Sequence, residues 1–126
     1  MNRVPIFRAD IGSIKQGNFG WFALLPSPGD QFVELCSSDI AEFTSAINQA
    51  IKKHGKVSIG FECPLFIPIP MNPLELTSAR PGEGSKAWSM GAGPVVLSMG
   101  LNQMTWIFQQ IASECTSPLP VTFDWQ

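Results

Sequence analysis

One helical stripe, and what stands on either side of it, constrains this chain most. Ile40, Phe43, Ile47, Ala50 and Ile51 follow one another at intervals of 3, 4, 3 and 1 residues, which places them on one face of a helix. Ser38 or Asp39 can cap its start by accepting from free backbone N–H groups. Gly55 can end it as a left-handed cap, with Lys52, Lys53 and His54 at the negative end of the helix dipole. Three short apolar runs precede this helix: Val4–Ile11, Phe19–Leu25 and Phe32–Cys36. The polar stretch Gly12–Gly17 and the turn-rich Pro26–Asp30 separate them, so they read as an antiparallel meander. A fourth run, Lys56–Phe61, follows the helix. A strand, a crossover helix and a returning strand lie parallel with a right-handed connection in most folds. The expected class is therefore α/β with a mixed sheet: three antiparallel strands, then parallel strands joined by crossover helices. Ile6 and Phe7 point to opposite faces of the first strand, and both faces are expected to be buried.

Downstream, Pro64, Pro68, Pro70, Pro73 and Pro81 exclude a regular helix or central strand over most of Cys63–Gly93. Leu65, Phe66, Ile67, Ile69 and Met71 are apolar enough to predict that the first half packs down. Thr77–Lys86, with Gly82 and Gly84, is expected to be the mobile half and to order on a phosphate-bearing ligand. Gly93-Pro94 opens a second helix that runs to about Cys115. Val96, Met99, Met104, Ile107, Phe108 and Ile111 form its apolar side, and Gly100 allows close packing on a neighbour. Ala87–Ser113 carries no charge, but Asn102, Gln103, Gln109 and Gln110 argue for a buried helix over a membrane span. Val121-Thr122-Phe123 begins a fifth strand, and residues 1–126 form a single domain.

Only 14% of the residues are charged against 44% hydrophobic, so few charges are available to coat a surface. The net charge of -2 excludes the overall basicity of a strong nucleic-acid binder, though not a site that holds nucleic acid through metal ions. Cys36, Cys63 and Cys115 are widely spread and, with His54 alone among histidines, give no zinc spacing. Free thiols and an N-terminus without a signal-peptide core point to the cytoplasm. One histidine also excludes a Ser-His-Asp or Cys-His set.

Two carboxylates carry the functional reading. Asp10 ends the first strand just before Ile11-Gly12-Ser13, and Glu62 ends the fourth before Cys63-Pro64. If the two strands are parallel, both acids stand at one C-terminal sheet edge, where open α/β sheets place their sites. Their carboxyl groups should then approach within about 4–6 Å, a separation at which like charges need a cation or a proton between them.

The order of these elements, with Ala9-Asp10-Ile11-Gly12-Ser13 and Gly20-Trp21 at the start, resembles the ribonuclease H-like superfamily. Within it, the chain is most similar to an uncharacterised bacterial group of predicted RNase H-like nucleases. Ile59-Gly60-Phe61-Glu62-Cys63-Pro64-Leu65 resembles the fourth strand with its acid. Arg80–Trp88 with Gly91-Ala92-Gly93 resembles the arginine-bearing loop before the next helix. The resemblance implies metal-dependent phosphodiester hydrolysis of DNA or RNA with Mg²⁺ or Mn²⁺. Two such ions would share Asp10 as a bridging catalytic ligand, Glu62 would bind one of them, and Ser13, Arg80 and Lys86 would touch substrate. In that superfamily a later helix brings another acid, so the chain is expected to be the N-terminal part of a longer fold. Nucleic acid, a homo-oligomeric partner or a separate C-terminal half are the expected partners, with association through Pro94–Cys115 or Val121–Trp125. No membrane partner is expected. A nucleotide-binding module of the actin and sugar-kinase type shares this strand order, and its Asp-x-Gly turn fits Asp10-Ile11-Gly12. A non-enzymatic interaction domain with remnant acids is the third reading.

Overall fold

A computed structural model of the chain describes residues 3–64, 69–79, 82, 84–87 and 90–122. Four strands and two longer helices follow in the order β1 (Ile6–Asp10), β2 (Gly20–Pro26), β3 (Phe32–Ser37), α1 (Ile40–His54), β4 (Ser58–Glu62) and α2 (Gly93–Glu114). A 3-10 turn over Pro73–Glu75 separates β4 from α2. The sheet order is β3-β2-β1-β4, with β1 antiparallel to β2, β2 antiparallel to β3, and β1 parallel to β4. The architecture is therefore α/β with a mixed sheet. Turn chemistry makes the antiparallel pairs, and α1 makes the parallel one.

The start of α1 shows how local sequence sets an element. Asp39 is its N-cap, and its carboxylate accepts from the N–H groups of Ala41 at 2.7 Å and Glu42 at 3.2 Å. The indole Nε1 of Trp21 donates to the Asp39 carbonyl at 2.9 Å, so the same residue docks the helix onto β2. Gly55 closes the far end at φ 75°, donating its N–H to the Ile51 carbonyl. The stripe on α1 meets the sheet through Phe43, whose ring stands 6.0 Å from Phe7, 6.1 Å from Phe19 and 5.5 Å from Trp21, centroid to centroid. Burying an aromatic ring contributes about 1.5–3 kcal/mol. Phe7, Phe19, Phe43, Ile47 and Ile107 are all fully buried in this layer.

Both helices lie on one face of the sheet. Phe61 of β4, the register partner of Ala9, packs its ring on Phe108 of α2 at 5.9 Å. The expectation that β1 is buried on both faces is corrected: Phe7 is 0% exposed but its neighbour Ile6 is 48% exposed. Strand alternation puts Ile6, Arg8 and Asp10 together with Leu24 and Phe22 on the other side, which no described element covers. A second correction concerns the segment after β4. Ile69 and Met71 do not pack down; they are 79% and 101% exposed, while Leu65, Phe66 and Ile67 lie outside the described residues. Val121 and Thr122 are not in a strand, and Phe123–Gln126 lie outside the described residues. Arg80, Pro81, Glu83, Trp88 and Ser89 lie outside them as well. None of the described helices is long and apolar enough to cross a membrane.

Candidate functional site

Asp10 and Glu62 are register partners, each the last residue of its strand, in the parallel β1·β4 pair. Adjacent strands lie about 4.8 Å apart, and side chains of register partners leave the same face. The two acids therefore stand side by side on the exposed face of the sheet, at the C-terminal edge. Parallel pairing is what brings them there, and the crossover through α1 is what enforces it.

A third charged residue shares the site. Arg8 precedes Asp10 by two residues, so it rises from the same face, and its guanidinium forms an ion pair with Glu62 on the neighbouring strand. Both partners are substantially exposed, at 65% and 42% of their side chains. The i, i+2 spacing of Arg8 and Asp10 in a strand is the sequence signal that places this cation beside the acids.

The turn after Asp10 is tightly built. Gly12 passes so close to the other arm of the turn that a Cβ there would fall 2.1 Å from the Asn18 carbonyl oxygen. Asn18 returns its N–H to the Ser13 carbonyl at 2.9 Å, and the Ser13 hydroxyl accepts from the Gln16 N–H at 3.3 Å. The packing of the turn thus accounts for Gly12 without any phosphate. Ser13 faces its own turn, and Lys86 is exposed on the segment before α2. Arg80 lies outside the described residues. Sequence reasoning thus brought together Asp10 and Glu62, and missed Arg8.

No protein-family model, curated protein or solved structure matches this chain.

As a donor set, Asp10 and Glu62 offer hard carboxylate oxygens. Such a pair fits one Mg²⁺ or Mn²⁺, since these ions bind through one or two carboxylates and take water or phosphate oxygens at the remaining positions. Among the described residues no three His, Cys, Asp or Glu side chains gather to hold a metal ion, so the pair alone does not make a two-ion centre. Cys63 follows Glu62 directly; its thiol is pushed up from its ordinary pKa by burial, which makes it a poor soft ligand at neutral pH. A recess of about 480 Å³ beside β4, lined by Ile51, Ile59, Met104, Phe108 and Val121, does not include either acid.

Proposed function

We propose that this domain is nuclease-related and acts on a phosphodiester of DNA or RNA at the Asp10–Glu62 edge, in the manner of the ribonuclease H-like superfamily. One observation carries the reading: the two acids are register partners at the C-terminal ends of parallel strands. Asp10 and Glu62 would hold a single divalent ion, Mg²⁺ or Mn²⁺, whose chemistry when bound is to neutralise phosphate charge and to lower the pKa of an attacking water. Arg8 is the chain's own contribution to phosphate recognition. Its planar guanidinium binds carboxylate and phosphate with the same two-pronged geometry, so an incoming phosphate exchanges with Glu62 on Arg8 and releases that carboxylate. Ser13 and Lys86 remain candidate contacts for the nucleic-acid backbone.

The Arg8–Glu62 ion pair also favours a second reading. It satisfies Glu62 without a metal ion, as expected of a non-enzymatic interaction domain in which the acids are remnants. Calorimetry separates the two. Titration with Mn²⁺ should give one site in the native chain and none in Asp10→Asn; the absence of any Mn²⁺ binding by the native chain defeats the nuclease reading and leaves the interaction domain. The packing of Gly12 on Asn18 explains that glycine by itself, so Gly12 carries no argument for the actin-type nucleotide module.

A further inference from the structure

α2 touches the ends of both acid-bearing strands. At Gly100 a Cβ would fall 2.5 Å from the Cys63 Sγ and 3.0 Å from its Cβ, with the Ile11 Cγ2 at 4.0 Å. One turn later, the Gln103 Nε2 donates to the Gly12 carbonyl at 2.6 Å, across 91 residues of chain. Cys63 is the residue after Glu62, and Ile11 and Gly12 are the residues after Asp10. A single face of one helix therefore rests on both strand ends immediately beyond the carboxylates.

Gln103 is the polar member of the buried row Leu97, Gly100, Gln103, Ile107 and Ile111 on α2. Its side chain is buried at 9% exposure, and its Oε1 has no hydrogen-bond partner among the described residues. What the Gln103 side chain visibly adds is a fixed position for the Gly12 carbonyl relative to α2, through the Nε2 bond at 2.6 Å.

We propose that Gln103 is a positioning residue that pins the end of β1 to α2, over the close contact at Gly100, and so holds Asp10 in place beside Glu62. Its importance for ion binding rests on the divalent-ion reading of that pair; its hold on the turn does not.

Three measurements on Gln103→Met keep these apart, with Ile111→Val, lower on the same helix, as a packing control. Amide exchange at Asn18, whose N–H closes the turn onto Ser13, should quicken at least tenfold relative to the control once corrected for global stability, and the Asp10 carboxyl-carbon shift should move while that of Asp39 stays. Mn²⁺ affinity should fall at least fivefold. Gln103→Glu supplies a rescue: the protonated acid can donate to Gly12 and the carboxylate cannot. Protection at Asn18, normalised to intrinsic exchange, should therefore be near native at low pH and be lost as the pH rises. The native chain measured over the same pH range serves as the reference for Asp10, Glu62 and Cys63, the titratable side chains at these strand ends. Exchange and Asp10 shift equal to those of the control overturn the proposal. If those two change while the native chain binds no Mn²⁺, the tether stands and the divalent-ion reading falls. If Mn²⁺ binds equally well to native chain and Gln103→Met, the ion reading stands and the positioning role falls.

Discussion

Replacing Gly100 with alanine sets two effects of opposite sign against each other. Glycine inside a helix is about 1 kcal/mol worse than alanine, so propensity alone predicts a gain of that size. The new methyl group, however, would lie 2.5 Å from the Cys63 Sγ and 3.0 Å from its Cβ. Carbon and sulfur in contact need roughly 3.5–4 Å, so the thiol must swing away and the helix must still retreat from the Cβ. Retreat is hindered because Gln103 ties the next turn to Gly12. Overpacking of this kind costs about 1–3 kcal/mol, which outweighs the propensity gain and leaves a net loss of about 1 kcal/mol. Urea unfolding followed by helical circular dichroism gives the number directly. Adding Cys63→Ala removes the sulfur and should recover most of the loss, with a coupling of at least about 1 kcal/mol in the double-mutant cycle. Stabilisation by the full propensity gain, or additivity within about 0.3 kcal/mol, would show that α2 does not press on the end of β4.

Other expected outcomes follow from the site and its supports. Arg8→Met should change stability by less than about 1 kcal/mol, because the ion pair with Glu62 is exposed, yet raise Mn²⁺ affinity roughly threefold to tenfold by freeing that carboxylate; weaker binding in calorimetry would mean that Arg8 orients Glu62 instead of competing for it. Cys63 should react with a disulfide reagent at neutral pH far more slowly than the exposed Cys36, since burial raises its pKa and depletes the thiolate. A folded-state pKa above the unfolded one also means that this thiol's contribution to stability is complete at lower pH and is lost as the pH rises through the folded value; unfolding free energy should fall from about pH 9 upward in the native chain and less so in Cys63→Ala. Asp39→Ala removes the carboxylate that caps α1 at Ala41 and Glu42 and should cost about 1 kcal/mol, read by thermal melting.

The elements that could be read from sequence are those governed by near neighbours. The spacing of Phe43 and Ile47, the cap at Asp39 and the stop at Gly55 are local signals, and each has its expected place. The adjacency of Asp10 and Glu62 was legible for a different reason: a helix between two strands leaves few topologies, and the parallel one aligns their ends. Gly100 was legible as a close contact, though not its partner Cys63. What failed depends on the third dimension. Ile6 looks like a core residue by composition, and only the placement of both helices on one face exposes it. Ile69 and Met71 show that an apolar run marks burial only where a surface waits for it. In the sequence Gln103 is a polar mark against a membrane span; its bond to Gly12 joins positions too far apart in sequence for any pattern to reveal.

That last contact has a consequence for the order in which the molecule is made. β1, β2 and β3 are joined by short turns, and α1 returns the chain to β4 within a few tens of residues, so these loops close at small entropic cost. With β4 paired to β1, the stretch from Glu62 to Gln103 is still open, and it closes only when Gln103 meets Gly12. Contacts of such separation form slowly relative to local ones. Folding should therefore pass through a stage in which the sheet and α1 are assembled while α2 is still undocked. At that stage Asp10 and Glu62 are already neighbours but not yet held, and the docking of α2 becomes the late step that matures the site.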